Sequence, residues 1–193
     1  MASFPDLYVL RHGQTTWNAD GRLQGALNSP LTDLGHTQAR AQRAILETRD
    51  LSGFEAIASP LGRTIETAGI AVAPLVNRIR TDARLREIEV GDWSGLLRDD
   101  LGVAYDATQP PGETLSLYES APGGEGLARL GARCEDFLQS LDAPAILITH
   151  GITSRMLRAL WLGLGQESLS TMPGGQGNVF WMSDGAMQEL TRP

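Results

Sequence analysis

The chain contains no lysine; all sixteen of its basic residues are arginine. A lysine Schiff base is therefore excluded, and with it the usual pyridoxal-phosphate chemistry. A Walker-type phosphate loop is excluded too, because it needs a Gly-Lys step. Any anion bound here must be held by guanidinium, imidazole, hydroxyl or backbone N–H groups. Cysteine is nearly absent: Cys134 stands alone. One thiol can form no disulfide within the chain, and the expectation is a protein of a reducing compartment, read as cytoplasmic. No apolar run is long enough to span a bilayer, and the N-terminus lacks a basic stretch followed by an apolar one. The formal net charge of −7 argues against nucleic acid or an anionic membrane as a partner. It leaves room for a local cationic pocket.

What is present is an ordinary globular composition in 193 residues, enough for one α/β domain with a substantial core. The runs "LYVL", "FEAIAS" and "AILITHG" read as buried strands, with "RIRTDARL" a weaker candidate. Between them lie helical patterns. The first has Leu34, Ala41 and Ile45 at helical spacing behind a Thr32 or Asp33 cap. The second begins just after Pro60. A third has an apolar face of Leu127, Leu130, Cys134, Phe137, Leu138 and Leu141, and a fourth follows "THG". "NVFWM" and "AMQELT" flank Ser183-Asp184-Gly185 as a hairpin. The alternation predicts a single-domain three-layer α/β/α sandwich over residues 1–193, with an open, mostly parallel sheet. Residues 98–124 are Pro/Gly-rich and read as a surface excursion, a lid or substrate-selecting segment. The hairpin strands could form an edge that pairs between subunits of a homodimer.

Only three histidines occur. His36 lies among polar neighbours in the first helix and reads as solvated. His12 and His150 differ, because each ends an apolar strand and each is followed by glycine. In a parallel sheet both would stand at the same carboxyl edge, where α/β folds place their chemistry. Two histidines with a carboxylate could ligate zinc. However, there is no His-x-x-x-His or Cys cluster, and Arg11 beside His12 would repel a cation. Arginine beside histidine favours an anion, phosphate first. Arg63, in "SPLGRT", reads alone as a solvated helix residue; beside Arg11 it becomes the second arm of a guanidinium clamp. In "LREIEVGDWSG", Glu87 and Glu89 would share a face if this is strand. One would pair with Arg84 or Arg86 and the other would donate a proton; spacing does not choose between them.

These pieces resemble the histidine phosphatase superfamily, the phosphoglycerate mutase-like family. The segments "LRHGQTTWN", "RLQGALNSPLTDLGHTQA", "SPLGRTIETA", "LREIEVGDWSG", "PGGEG" and "THG" follow its motifs in order over nearly the whole chain. The resemblance implies that His12 is the nucleophile that accepts a phosphoryl group. Arg11, Arg63 and His150 would bind the phosphoryl oxygens, and Glu87 would protonate the leaving oxygen. Asn18, Gln24, Gly25 and the N–H of Gly151 would add substrate contacts, with Thr15 a weaker candidate. No metal and no cofactor is implied. The family often has serine after "PGGE", as a helix cap; here it is Gly126.

The implied activity is a metal-independent phosphomonoester hydrolase acting through phosphohistidine on a small phosphorylated metabolite. The alternatives are a cofactor-dependent phosphoglycerate mutase and a non-catalytic phosphate-ester binding module. The short middle excursion, Gln14 and "THGITSR" fit the phosphatase branch better. Selectivity would reside in residues 98–124, where Tyr105, Tyr118 and Glu119 are available, and in the loop before Asn178. Arg98 could meet a second negative group on a substrate; a solvated helix position is the plainer reading.

Overall fold

In the computed structural model, which describes residues 4–101 and 115–192, six strands form one sheet. They are β1 (Leu7–Arg11), β2 (Glu55–Ala58), β3 (Ile79–Thr81), β4 (Ala145–Thr149), β5 (Val179–Ser183) and β6 (Ala186–Leu190). Their order is β3-β2-β4-β1-β5-β6. The first four in that order run parallel, and β5 and β6 add an antiparallel hairpin beside β1. Asp184 and Gly185 turn the hairpin, both with the positive φ that a type I′ turn requires. The expected open, mostly parallel sheet therefore forms.

The helices are α1 (Thr16–Ala19), α2 (Asp33–Leu46), α3 (Gly62–Ala71), α4 (Leu115–Ser120), α5 (Gly126–Gln139) and α6 (Gly151–Trp161). Strand alternation assigns them to layers. Leu7, Val9, Ile57, Ala145 and Leu147 join a core with α4, α5 and α6. Tyr8, Leu10, Ala56, Ala58, Ile146 and Ile148 join the opposite core with α2 and α3. A strand covered on both faces has no polar side, which is why β1 and β4 read as unbroken apolar runs.

Two local expectations are corrected. The buried face of α2 is Gly35, Ala39, Gln42, Ile45 and Leu46, whereas Leu34 is 51% exposed. Backbone proximity sets this face. A Cβ on Gly35 would stand 2.1 Å from the Gln14 carbonyl oxygen, and one on Gly13 would stand 2.3 Å from that of Gly35. Gln42 is buried because its amide donates to the carbonyls of Arg11, at 2.8 Å, and Asn178, at 3.0 Å. The second correction concerns 98–124, whose described parts are partly regular. Arg98–Leu101 is a 3₁₀ turn and Leu115–Ser120 is helix. Leu117, Tyr118 and Ala121 pack into the α5 core and are not a surface excursion. Tyr105 lies outside the described residues.

The register of β1 on β4 pairs Arg11 with Thr149, so the next residues, His12 and His150, emerge side by side. The ladder continues one step further, with His12 N–H donating to Thr149 O at 3.0 Å. Ser59 and the start of α3 follow β2 on the other side of β4. The carboxyl ends of three adjacent strands thus converge.

Candidate active site

The two imidazoles are 5.2 Å apart between ring centroids. His12 Nδ1 lies 2.7 Å from the carbonyl oxygen of Gly13. A carbonyl only accepts, so Nδ1 carries the hydrogen and Nε2 keeps its lone pair. Burial, then the charges of Arg11 and Arg63, push the His12 pKa well below its ordinary value of 6.5. The ring is thus neutral with Nε2 available. His150 is the complementary tautomer. Its Nδ1 accepts from Arg63 Nε at 3.2 Å, so its Nε2–H donates to Ser59 Oγ at 2.8 Å. Its pKa is likewise pushed well down, by burial first and then by Arg63, His12 and Arg11.

Arg63 sits in the first turn of α3 and is only 1% exposed, which excludes the solvated reading. Its Nε–H is shared between His150 Nδ1 and His12 Nε2, at 3.2 and 3.3 Å. Nη1 donates to Leu27 O at 2.5 Å and Nη2 to Gly25 O at 3.0 Å. Two of its five N–H groups remain, one on each terminal nitrogen. Burial lowers its pKa to about 10, with Glu87 opposing and Arg11 adding to the shift. Arg11 is different, since its buried Nε has no hydrogen-bond partner. Burial, opposed by Glu87, lowers its pKa. A buried N–H donor without an acceptor is costly unless a ligand supplies one.

Glu87 lies in an irregular segment, not a strand, so period-2 reasoning did not apply. Its carboxylate is placed by the N-terminus of α6. Oε2 accepts from Ile152 N–H at 3.2 Å, and Oε1 from the N–H groups of Thr153 and Ile88 at 3.1 Å each. Thr153 Oγ1 donates to Arg86 O at 2.7 Å and tethers the same segment. Gly151 separates Glu87 from Arg11. A Cβ there would sit 3.4 Å from Arg11 Cζ and 3.6 Å from Glu87 Oε2. Neither Glu87 nor Glu89 pairs with Arg84, which binds Asp82 and Asp136 instead. Glu89 is exposed, and Glu125 grips its backbone on both sides. Glu125 N–H donates to Glu89 O at 2.8 Å, and Glu125 Oε2 accepts from Glu89 N–H at 3.3 Å. Arg133 closes the bracket, with Nε on Glu125 Oε1 at 2.5 Å, Nη2 on Oε2 at 2.9 Å and Nη1 on Arg84 O at 2.5 Å.

Arg11, His12, Arg63 and Glu87 open on a cavity of about 550 Å³. Of the residues anticipated, Arg11, His12, Arg63, Glu87, Asn18, Gln24, Gly25 and Gly151 line it. His150 stands behind Arg63. Thr15 does not line it; it is a fully buried N-cap of α1, with Oγ1 accepting from Asn18 N–H at 3.2 Å and Gln24 Nε2 at 2.9 Å. Glu119 also leaves the substrate set. Its Oε1 accepts from Leu127 N–H at 2.7 Å and thereby caps α5. That arrangement explains the departure at Gly126, whose φ of +71° suits glycine and not serine. Sequence reasoning missed Gln176, whose Nε2 donates to His12 O at 3.0 Å, and the cavity-lining Arg155 and Arg158 of α6. Among the described residues, no cluster of His, Cys, Asp and Glu is suited to a metal ion, and no helix is long and apolar enough to cross a membrane.

A neutral imidazole, two guanidiniums and a carboxyl group thus gather at one cavity, with no lysine among them. The chain belongs to the histidine phosphatase superfamily (branch 1), whose family model matches residues 7–184. Glucosyl-3-phosphoglycerate phosphatase of Mycolicibacterium vanbaalenii is 32% identical over 192 residues, covering 91% of this chain and 82% of the relative. Probable phosphoglycerate mutase GpmB of Yersinia pestis is 36% identical over 167 residues, covering 82% of this chain and 75% of the relative. The solved mycobacterial glucosyl-3-phosphoglycerate phosphatase in complex with VO3 superposes with a TM-score of 0.74 at 31% identity, covering 97% of this chain and 96% of that one. Within the superfamily, the chain is a phosphomonoesterase.

Proposed function

We propose that the chain hydrolyses a small phosphorylated metabolite in two steps at His12. The Nε2 lone pair of His12 attacks phosphorus while the bond to the ester oxygen breaks, and Glu87 delivers a proton to the departing alkoxide. Water then attacks the phosphohistidine, the N–P bond breaks, and the Glu87 carboxylate takes the proton from that water. Arg11 and the two remaining N–H groups of Arg63 would hold the equatorial oxygens, where charge spreads in an in-line transfer. Gly151 keeps Glu87 and Arg11 at one side of the same oxygen set.

The observation that carries this reading is the buried, partnerless Nε of Arg11 beside a neutral His12 whose Nε2 lone pair meets only a shared N–H of Arg63 at the same cavity. Such a pair is poised for an anionic electrophile. The buried Cys134 thiol, raised to about 12 chiefly by burial, is chemically quiet and fits a reducing, cytoplasmic setting.

The experiment is ³²P trapping from a phosphomonoester panel, quenched into alkaline denaturant, with phosphate release followed in parallel. The panel includes glucosyl-3-phosphoglycerate, named by two relatives, and 3-phosphoglycerate. Acid-labile label on the His12 peptide, absent in His12→Ala, is expected along with free phosphate. Hydrolysis that persists in His12→Ala would overturn the mechanism. Isomerisation of 3-phosphoglycerate with little phosphate release would move the chain to the mutase reading.

A further inference from the structure

The two peptide groups on either side of Gly13 are held at all four of their polar atoms by side chains. In the His12–Gly13 peptide, the carbonyl oxygen accepts from Gln176 Nε2 at 3.0 Å and the N–H donates to Thr67 Oγ1 at 3.1 Å. Thr67, fully buried in α3, passes its own hydrogen to the Arg63 carbonyl at 2.7 Å. In the Gly13–Gln14 peptide, the N–H donates to Gln38 Oε1 of α2 at 2.7 Å. Its carbonyl accepts the Nδ1–H of His12, also at 2.7 Å. The acceptor that selects the His12 tautomer is thus one end of a peptide whose other end is gripped by Gln38.

Glycine has no Cβ to limit its dihedrals, so its flanking peptides turn more freely than those of any other residue. Close approach of α2 requires it here, since a Cβ on Gly13 would stand 2.3 Å from the Gly35 carbonyl oxygen. The carbonyl that selects the tautomer therefore sits on a residue that does not fix its own peptide. The C=O and N–H of one peptide are coplanar and point opposite ways, so what fixes one fixes the other. Gln38 provides that fixing acceptor through Oε1, because its Nε2 only donates. A second contact also favours the tautomer, and it is weaker. Arg63 Nε–H reaches His12 Nε2 at 3.3 Å but is shared with His150 at 3.2 Å. It must yield when Nε2 attacks phosphorus, because the lone pair it touches becomes the N–P bond. Of the two contacts, only the Gly13 carbonyl then remains to keep the hydrogen on Nδ1, and it faces the positive charge that the ring gains. An N–H that already donates to Gln38 polarises its own peptide and makes that carbonyl a better acceptor. The arrangement resembles a carboxylate behind a catalytic histidine, with one peptide inserted between acceptor and ring.

We propose that Gln38 is a positioning residue for the nucleophile: its amide oxygen fixes the Gly13–Gln14 peptide, and that peptide holds His12 in the tautomer whose Nε2 can attack. The effect on rate rests on the nucleophilic role proposed for His12; the effect on the tautomer does not. Thr67 and Gln176 are less clean probes. Thr67 also binds the Arg63 carbonyl, and Gln176 lines the cavity. Gln38 is not part of the described lining, so a change there isolates the peptide.

Two variants test it. Gln38→Met keeps the length of the side chain, which lies beside Gly177, and removes the acceptor; Gln38→Glu keeps an acceptor. The tautomer is read from long-range ¹⁵N–¹H correlation spectra of the imidazole nitrogens. Only three histidines contribute, and His12 is assigned by its loss in His12→Asn. In the unmodified protein and in Gln38→Glu, His12 should show a protonated Nδ1 and a bare Nε2. In Gln38→Met the two ¹⁵N shifts should move toward each other as the second tautomer gains population. The kcat/KM for p-nitrophenyl phosphate reports the phosphorylation step without need of an acid. It should fall about tenfold in Gln38→Met and much less in Gln38→Glu. Sulfate affinity, measured by calorimetry, should be the same in Gln38→Met as in the parent, because the arginines are untouched. An unmoved tautomer in Gln38→Met would overturn the proposal, as would rate losses of equal size in the two variants. A shifted tautomer with full activity would uphold the role of Gln38 and overturn His12 as the nucleophile. Should Gln38→Met not fold, Gln38→Ala, which removes the acceptor and adds no apolar surface, takes its place.

Discussion

Arg63 donates its Nε–H to Nδ1 of His150 across 3.2 Å, so the second histidine turns a proton acceptor toward Arg63. To donate to a phosphoryl oxygen it must first gain a proton at Nδ1. Burial and the neighbouring cations keep its pKa well below 6.5. A bound dianion reverses the sign of the local field and raises it. Anion binding is therefore expected to take up a proton. Sulfate serves as the probe, since it does not titrate between pH 5 and 7. Calorimetry in buffers of different ionisation enthalpy should show uptake that grows as pH falls, and tighter binding with it. His150→Asn should abolish the uptake. Sulfate binding with no proton exchange in the unmodified protein would refute the coupling.

Both histidines also shape stability against pH. Their folded pKa values lie below the unfolded value of 6.5, so between those limits the unfolded chain binds more protons. Stability is then complete above about pH 6.5 and falls as pH drops below it. Within that window each histidine contributes up to about 1.4 kcal/mol per pH unit. Urea midpoints measured from pH 7 to pH 4.5 should fall, and the His12→Asn/His150→Asn double variant should flatten the slope. An unchanged slope would mean that other groups dominate acid unfolding.

The legible parts of this molecule were those where one residue's surroundings are written next to it. Two apolar runs that both end in His-Gly announced a shared sheet edge, and the helix start at "SPLGRT" announced Arg63. What stayed hidden depended on distant partners. Thr15 was a ligand candidate by family resemblance alone, yet it is fully buried and its oxygen caps α1. Residues 152–159 of α6 are all buried, so no polar face marks Arg155 and Arg158. Leu34 carried the right period but the wrong face, because two glycines in backbone contact set the rotation of α2.

The acid's role predicts a dependence on leaving group. Glu87→Gln cannot deliver a proton, and its single amide oxygen can accept from only one of the two α6 N–H groups. Its kcat should fall about 10²- to 10⁴-fold on alkyl phosphates. On p-nitrophenyl phosphate, whose leaving group needs no proton, the loss should be much smaller. Glu125 should show the same signature more weakly. It holds Glu89 on both sides and thereby the segment that carries Glu87. Glu125→Gln should cost more on alkyl than on aryl esters, and Glu125→Asp should fall between Gln and the parent. Equal losses on both ester classes would reduce Glu125 to general scaffolding and would count against Glu87 as the acid.

Two glycines in helices should respond to alanine with opposite signs. Gly35 packs on the backbone beside Gly13, and its added Cβ would meet the Gln14 carbonyl oxygen at 2.1 Å. Backbone cannot swing aside as a side chain can, so α2 must shift or the Arg11–Gln14 turn must move. Gly35→Ala is expected to cost about 1–3 kcal/mol or more. It should also lower kcat, because the turn that moves carries His12. Gly69 is exposed in α3, with nothing within 4 Å of its added Cβ. There alanine only reduces the freedom of the unfolded chain and improves helix propensity. Gly69→Ala should therefore stabilise by about 0.4–1 kcal/mol and leave kcat unchanged. Urea unfolding and steady-state rates on the two variants decide. A Gly35→Ala protein as stable and active as the parent would mean that α2 does not hold the catalytic turn in place.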